Sequence, residues 1–330
     1  MNKKSLMIII LILFTIPHAR AEKPLIVASI SPLAEIVKEA FGNSVDVVHI
    51  VPPGADPHQY QLTPDQIELI KRADIVVTAN GHLPVEQKMK ELQEEKVLTA
   101  KVLFAEDYAK YGFHFLPERW YNNKNNPHGV WLDPYNALAI ARATGDALIA
   151  KYPASRETYE KEYMRFEAKV LGIVKSYRAL VEKNATAIVE LPSQQYAIEW
   201  LGIRVVSSIK PEEEIPAKSV DELLEITKTV DFIAYSTQSP EALKNAALEL
   251  SRRTGKPLAD ITTIWIDKPY TEILIENSKA VMGALNQKLD QKTTIIQQTT
   301  KAENISTIYV FLALVVGISL GMAVGILIRK

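Results

Sequence analysis

The sequence predicts an α/β protein of two lobes, each a mainly parallel four-stranded sheet wrapped by helices. One long rigid helix joins the lobes, and a transmembrane helix follows at the C-terminus. Three observations predict this fold class. Short runs rich in β-branched residues alternate with helical patterns, the runs form two sets of four, and a long helical pattern separates the sets. Because such alternation favours parallel strands with crossover helices, each set predicts one lobe.

The predicted strands are short apolar runs bounded by turn residues, at 25–30, 45–51, 74–79 and 102–104, then at 186–190, 205–209, 232–235 and 263–266. Helical patterns separate most of them, at 32–41, 63–71 and 84–93, then at 220–229, 240–254 and 271–286. Residues 155–183 carry apolar side chains close to helical spacing, which predicts a joining helix of roughly 40 Å at about 1.5 Å per residue.

Composition limits the classes of protein and of site. The 330 residues include 38 Lys and Arg against 39 Asp and Glu, and 47% are hydrophobic. Such a chain buries a large core and shows no bias toward nucleic acid. There is no cysteine, which excludes disulfides, thiolate zinc sites and cysteine nucleophiles. A metal site in this chain must therefore use His, Asp and Glu.

The two ends predict export and anchoring. Residues 1–21 have two lysines, an apolar run and a small-residue cleavage motif, which is typical of a signal peptide. Residues 307–328 are apolar and long enough to cross a bilayer, and Arg329 and Lys330 predict a cytoplasmic C-terminus. We therefore expect a single-pass protein of the cell membrane whose binding domain is extracytoplasmic. The predicted boundaries between these ends are 22–154 and 185–287 for the lobes, 155–184 for the joining helix and 288–306 for a polar tether.

Four residues that could bind a metal follow predicted strands, where ligands of open parallel sheets bind. His58 and His128 lie in loops, and Glu190 and Asp267 each end an apolar strand. A single loop histidine is more often a surface residue, and a carboxylate at a strand end is often a cap. Two imidazoles with two carboxylates nevertheless form a complete set for a divalent metal. His82, after the third strand, is the alternative ligand.

Glu212 opens an acidic run that continues through residue 214. Such a run is consistent with a second ion site, but runs of like charge are usually solvated. We therefore expect a solvated loop at this position.

Specific motifs carry a family resemblance. The stretch IVASISPLAEIVKEAFGNSVDVVHIVPPGADPHQY, then HGVWLDPYNA and SVDELLEI, resemble the substrate-binding proteins of zinc and manganese ABC importers, the cluster A-I solute-binding family. The resemblance covers residues 24–287. It implies two α/β lobes bridged by a rigid helix, with a metal in the cleft held by His, His, a third His or Glu, and Asp. His58, His128, Glu190 and Asp267 match those four positions.

This chain departs from the family pattern in several ways. Gly129 stands between His128 and the VWLDP that usually follows the ligand directly. Glu190 replaces the histidine of zinc-type members, and the His-rich loop common in zinc receptors is missing, which favours Mn²⁺ or Fe²⁺ over Zn²⁺. Many members are lipoproteins with a cysteine at the cleavage site, and this chain has none, so we expect its C-terminal helix to anchor it instead.

The resemblance implies a receptor, not an enzyme. We expect it to capture one divalent ion, Mn²⁺, Zn²⁺ or Fe²⁺ with Mn²⁺ slightly favoured, and to deliver it to the permease and ATPase subunits of an ABC importer. A membrane-anchored metallohydrolase is the alternative from another class, but four protein ligands leave no open position for catalysis. An adhesin that uses the metal for structure is the other alternative. Nucleic acid is not an expected partner.

Overall fold

The computed structural model describes residues 23–52, 54–212 and 215–287. They form two compact units. Unit 1 contains the described residues up to Asp107 together with Ala141–Arg165, and unit 2 contains Tyr108–Ile140 together with those from Phe166 onward. Each unit holds one four-stranded sheet. Because all pairings within both sheets are parallel, the two α/β lobes agree with the predicted architecture.

The sheet of unit 1 has four short strands: β1 (Leu25–Ala28), β2 (Asp46–His49), β3 (Ile75–Val77) and β4 (Lys101–Leu103). Their order across the sheet is β2-β1-β3-β4. Val27 of β1 pairs with Val48 on one side and with Val76 on the other. Val27 and Val76 are fully buried, as expected for central strands of a sheet covered on both faces.

Six α-helices start within the described residues of the first half of the chain: α1 (Ser31–Phe41), α2 (Pro64–Lys71), α3 (Pro84–Glu94), α4 (Ala105–Ala109), α5 (Pro134–Lys151) and α6 (Arg156–Arg178). Proline lies in the first turn of α1, α2 and α3, where no amide hydrogen bond is lost. Thr63 and Gln66 form a capping box at α2. These local signals explain why the sequence predicts the three starts to within a residue.

Hydrogen bonds to the Asp74 carboxylate connect the start of β1 with the end of α5 in unit 1. One of its carboxylate oxygens accepts a 2.7 Å hydrogen bond from the Leu25 amide, at the start of β1. The other accepts 2.6 Å and 2.7 Å bonds from the Tyr152 hydroxyl and the Lys151 ammonium, at the end of α5. Burial raises the pKa of this carboxyl, but the three hydrogen bonds together lower it below its ordinary value.

The sheet of unit 2 contains β7 (Thr186–Val189), β8 (Arg204–Ser208), β9 (Phe232–Tyr235) and β10 (Leu258–Asp260), in the order β10-β9-β7-β8. A small antiparallel hairpin, β5 (Pro117–Glu118) with β6 (Lys124–Asn125), belongs to the same unit. Its later helices are α7 (Gln194–Ile198), α8 (Val220–Thr229), α9 (Glu241–Thr254) and α10 (270–287), where the described part of the chain ends. Leu223 of α8 and Leu250 of α9 pack in one buried cluster with Ile188 and Ile233 of the sheet.

The predicted eighth strand, 263–266, is wrong, because β10 lies earlier, at Leu258–Asp260. Ile261 is fully buried and its amide donates to the Tyr235 carbonyl at 2.8 Å, which continues the ladder for one residue. The backbone of Thr262 then bonds to the Asn277 side chain through both its amide and its carbonyl, each at 2.9 Å. The run 263–266 is therefore an irregular segment in which Trp265 is buried and Ile266 is exposed. Hydrophobicity alone does not distinguish such a segment from a strand.

The predicted joining helix at 155–183 corresponds to α6, which begins at Arg156 after a 3₁₀ turn and ends at Arg178. Its first part belongs to unit 1 and its last part to unit 2.

The C-terminal transmembrane helix was part of the predicted fold class, and we correct that prediction. Within residues 23–52, 54–212 and 215–287, no helix combines the length and apolar character needed to cross a bilayer. The segment 307–328 itself lies outside the described residues, as do the predicted signal peptide 1–21 and the predicted tether 288–306. The transmembrane helix is therefore withdrawn from the fold.

Candidate metal centre

His58 and His82 are neighbours in unit 1. Their rings lie 5.7 Å apart between centroids, at an interplanar angle of 70°. The His58 amide donates a 2.9 Å hydrogen bond to Asp56 Oδ1, and the His82 amide donates a 3.0 Å bond to Asn80 Oδ1. Each histidine thus sits two residues after a side chain that shapes its turn. The structure therefore brings the predicted ligand His58 together with its predicted rival.

Both loops start at the carboxyl edge of the sheet of unit 1. Beyond β2, the Val51 amide donates to the Ser29 carbonyl at 3.0 Å, which carries the ladder to the loop of His58. Beyond β3, the buried Glu86 carboxylate accepts bonds from the Ala79 amide at 2.6 Å and the Gly81 amide at 2.9 Å. The same carboxylate accepts a 2.6 Å bond from the Ser29 hydroxyl. One residue of α3 therefore fixes the loop of His82 to the sheet.

His128 lies in unit 2 and is buried, with 6% of its surface exposed. Its amide donates a 2.9 Å hydrogen bond to Asn126 Oδ1. The Asn126 amide group in turn donates to the Pro192 carbonyl at 2.9 Å and to Gln195 Oε1 at 3.0 Å. The Tyr196 hydroxyl donates to the Asn126 carbonyl at 2.6 Å. The segment before His128 is therefore held by the residues that open α7.

Gly129, which departs from the family motif, is required by this geometry. It adopts a left-handed conformation with φ of 77°. A Cβ built on it would lie 2.6 Å from the Ser193 carbonyl oxygen and 2.7 Å from Ser193 Cα. Because only glycine has neither the strain nor the clash, the inserted residue lets the His128 loop pack directly on the chain before α7.

Two carboxylates accompany His128 in unit 2. Its Nε2 lies 2.6 Å from Glu212 Oε1, and one oxygen of Glu118 completes a group whose three ligand atoms all lie within 4.8 Å of one another. Glu118 is fully buried, and neither of its oxygens has a hydrogen-bond partner within the described chain. Burial, followed by the nearby Glu212 carboxylate, raises the pKa of Glu118 to about 8.

Glu190 is fully buried just after β7. Its Oε2 accepts hydrogen bonds from the Ser236 amide at 2.7 Å, the Ser239 hydroxyl at 2.8 Å and the Gln194 side chain at 3.4 Å. Its Oε1 has no partner among the described residues. Burial raises the pKa of this carboxyl, although its hydrogen bonds oppose the change. Among the described residues, Oε1 of Glu190 is therefore the carboxylate oxygen that no hydrogen bond occupies.

Asp267 is placed differently from its prediction as the end of a strand. It is exposed, it lies in a bend, and its φ is 57°. Within the described part of unit 2, the side chains close enough to share an ion are Glu118, His128 and Glu212, and neither Glu190 nor Asp267 is in that group. Sequence reasoning missed Glu118, which carries no motif, and it interpreted Glu212 as part of a solvated run.

Comparison with known proteins gives one family and a consistent set of relatives. The family model described as zinc-uptake complex component A, periplasmic, matches residues 26–284. The zinc-binding lipoprotein AdcA of Streptococcus pneumoniae serotype 4 is 26% identical over 304 residues, covering 86% of this chain and 59% of AdcA. The chain therefore spans less than two thirds of that relative. A putative metal-binding protein of Thermotoga maritima is 25% identical over 287 residues, covering 86% of this chain and 99% of the relative.

Further relatives differ in the metal that they are named for. The iron ABC transporter substrate-binding lipoprotein MtsA of Streptococcus pyogenes serotype M1 is 27% identical over 231 residues, covering 67% of this chain and 74% of MtsA. The crystal structure of ZnuA matches with a TM-score of 0.65 at 20% identity, over 80% of this chain and all of that one. FpvC of Pseudomonas aeruginosa in complex with Mn²⁺ matches with a TM-score of 0.66 at 19% identity, over 81% of this chain and 99% of that one. These structural matches show a shared fold.

The predicted localisation is also corrected by these relatives. AdcA and MtsA are named lipoproteins, and the matching family is described as periplasmic. A single-pass membrane protein with a cytoplasmic C-terminus does not fit them. The prediction that a C-terminal helix attaches the protein to the membrane is therefore withdrawn, together with the predicted helix.

Proposed function

Because this chain belongs to the zinc-uptake complex component A family of substrate-binding proteins, we propose that it is a receptor that captures one divalent transition-metal ion. The receptor works outside the cytoplasm and passes its ion to the permease and ATPase subunits of an ABC importer. Its named relatives bind metals or serve metal transporters, which favours a receptor over a metallohydrolase.

One observation carries the proposal: a buried imidazole of the family motif, His128, stands beside carboxylates. Its backbone is fixed by Asn126, so the ring has little freedom to lose when it binds an ion. Imidazole with carboxylate oxygens suits divalent first-row metals. The motifs predict His58 and His128 as imidazole ligands, Glu190 and Asp267 as carboxylate ligands, and His82 as the alternative.

The chemistry of the donors favours Mn²⁺ or Fe²⁺ over Zn²⁺ as the cargo. Anionic oxygens select the harder ions. The family resemblance implies that zinc-type members carry histidine at the position of Glu190. Zn²⁺ still competes, because a given set of N and O ligands binds it more tightly than Mn²⁺ in the Irving–Williams order. The Mn²⁺ complex of FpvC and the iron named for MtsA are consistent with such a range.

Metal titration of the chelated protein tests the function. Calorimetry with manganese chloride and with zinc chloride should give one ion per chain, and saturation should raise the melting temperature, because the ion binds the folded state alone. His58→Ala and His128→Ala should each weaken binding. His114→Gln is the matched control, since its ring lies outside the described metal-capable groups.

Two results would end the proposal. The first is a wild-type protein that binds neither metal and melts at one temperature with and without them. The second is a His128→Ala variant whose affinity equals that of His114→Gln.

A further inference from the structure

We propose that Glu118, His128 and Glu212 of unit 2 are ligands of one cation centre that takes an oxygen-preferring divalent ion, Mn²⁺ or Fe²⁺. The inference rests on the proposed function and deepens it. Two of the three ligands have no counterpart in the family motif, which supplies His128 alone. The centre therefore makes the metal preference of this chain depend on residues outside the motif.

The distances suit a bound ion after a small adjustment. The three ligand atoms lie within 4.8 Å of one another, and the closest pair, His128 Nε2 and Glu212 Oε1, are 2.6 Å apart. Transition-metal bonds to such atoms are about 2.0–2.2 Å long, so two atoms on one ion are at most about 4.4 Å apart. The 4.8 Å spread of the group exceeds this limit by about 0.4 Å, and we assign that adjustment to the two carboxylate side chains.

Glu118 is the observation that points to a ligand. A carboxyl group that is fully buried, with neither oxygen hydrogen-bonded to the described chain, is unfavourable in a folded protein. A cation supplies the partner that both oxygens lack.

Hydrogen bonds hold the two carboxylate-bearing segments in place. The Glu118 carbonyl accepts 3.0 Å bonds from the Tyr121 and Asn123 amides, which close the β5–β6 hairpin. Trp120 of that hairpin donates its indole N–H to the Pro211 carbonyl at 3.0 Å, directly before Glu212. Because the hairpin and the Glu212 segment are joined in this way, the two carboxylates are positioned before any ion arrives.

The donor set determines the class of ion. Two carboxylates with one imidazole provide more anionic oxygen than a zinc site of histidines, which favours ions that accept six oxygen-rich ligands. The single imidazole disfavours Mg²⁺ and Ca²⁺, which take oxygen ligands. Mn²⁺ is therefore the probe ion, with Zn²⁺ for comparison.

Glutamine substitutions in the full chain test the centre, because they keep size and shape while removing the anionic oxygen. Glu118→Gln and Glu212→Gln should each weaken Mn²⁺ binding by at least about tenfold, measured by calorimetric titration of chelated protein with manganese chloride. Both should weaken Zn²⁺ by a smaller factor. Glu241→Gln is the matched control, because that glutamate lies in α9 of the same unit and its side chain is 70% exposed.

The outcomes distinguish the proposed centre of Glu118, His128 and Glu212 from the proposed receptor function. Near-ultraviolet circular dichroism of the metal-free variants checks the fold, and Glu212→Gln carries the test if Glu118→Gln fails to fold. If wild type binds Mn²⁺ and the glutamine variants of residues 118 and 212 bind within twofold of Glu241→Gln, the centre is refuted while the receptor stands. A wild type that binds neither Mn²⁺ nor Zn²⁺ refutes both. A tenfold loss confined to the variants of 118 and 212 supports the centre.

Discussion

Replacing Gly129 by alanine tests the packing of the His128 loop most directly. The new Cβ would lie 2.6 Å from the Ser193 carbonyl oxygen, closer than such atoms approach in folded proteins, so one backbone segment must move. The residue would also keep a φ of 77°, which alanine rarely adopts. Both effects act on the peptide that follows His128.

The two effects differ in size. The left-handed conformation costs a non-glycine residue about 1–2 kcal/mol, and an overpacked contact costs about 1–3 kcal/mol more. Gly129→Ala should therefore lower the free energy of unfolding by about 2–5 kcal/mol. Gly202 provides the matched control, because its φ is 92° and no atom lies within 4 Å of its built Cβ. Gly202→Ala should lose only the conformational part, about 1–2 kcal/mol.

Urea denaturation of the metal-free proteins, followed by tryptophan fluorescence, measures the difference. Gly129→Ala should also weaken binding of Mn²⁺, because the strain and the steric clash act on the loop that carries His128. Gly202→Ala should bind Mn²⁺ as wild type does. Equal stability of the two variants, within about 0.5 kcal/mol, would show that the Ser193 segment yields freely and that glycine is not required by packing. Unchanged Mn²⁺ affinity in Gly129→Ala would show that the conformation of the His128 loop does not affect metal binding.

Three further predictions concern hydrogen bonds. Asn126→Ala should lower the free energy of unfolding in urea by about 2–4 kcal/mol, because several buried partners of Asn126 lose their hydrogen bonds. The same variant should weaken Mn²⁺ binding in a titration, and unaltered binding would show that Asn126 does not position His128. Tyr196→Phe should cost about 1–3 kcal/mol in the same urea assay, because the Leu116 amide loses its 2.9 Å acceptor, and a loss below 0.5 kcal/mol would contradict this. Asp74 has a lowered pKa, so its stabilisation is present above about pH 4 and is lost as pH falls through that lowered pKa. Asp74→Asn should therefore flatten the stability profile between about pH 2 and pH 5, and parallel profiles for variant and wild type would refute the assignment.

Seven of the eight strands in the two four-stranded sheets could be predicted, because their buried runs are short, β-branched and followed by turn residues. The run of β7 at 186–190 is an example, since its central residues are fully buried in the middle of a parallel sheet. The run at 263–266 is also short and rich in β-branched residues, but the Asn277 side chain forms hydrogen bonds with the backbone of Thr262, just before it. A side chain that lies 15 residues away decides between strand and irregular segment, and no local pattern contains that information.

The candidate site was predictable only where motifs carry it. The motif histidines His58 and His128 stand out because their loops have distinctive sequences. Glu118 and Glu212 do not, since the pairing of His128 with Glu212 spans 84 residues and depends on how the hairpin packs. Gly129 was visible as a departure from the motif, but the reason for it, the approach of Ser193, appears only in the folded chain.

The division of the chain into interleaved segments affects the order in which the protein can be completed. Residues 108–140, which carry His128, leave the ribosome before residues 141–165 complete unit 1 and before the sheet of unit 2 exists. The partners that fix the His128 loop come from Pro192, Gln195 and Tyr196, which are synthesised later still. The imidazole therefore reaches its final position only after translation has passed α7. Because each unit is built from two separate segments, no single cut of the polypeptide releases either unit whole.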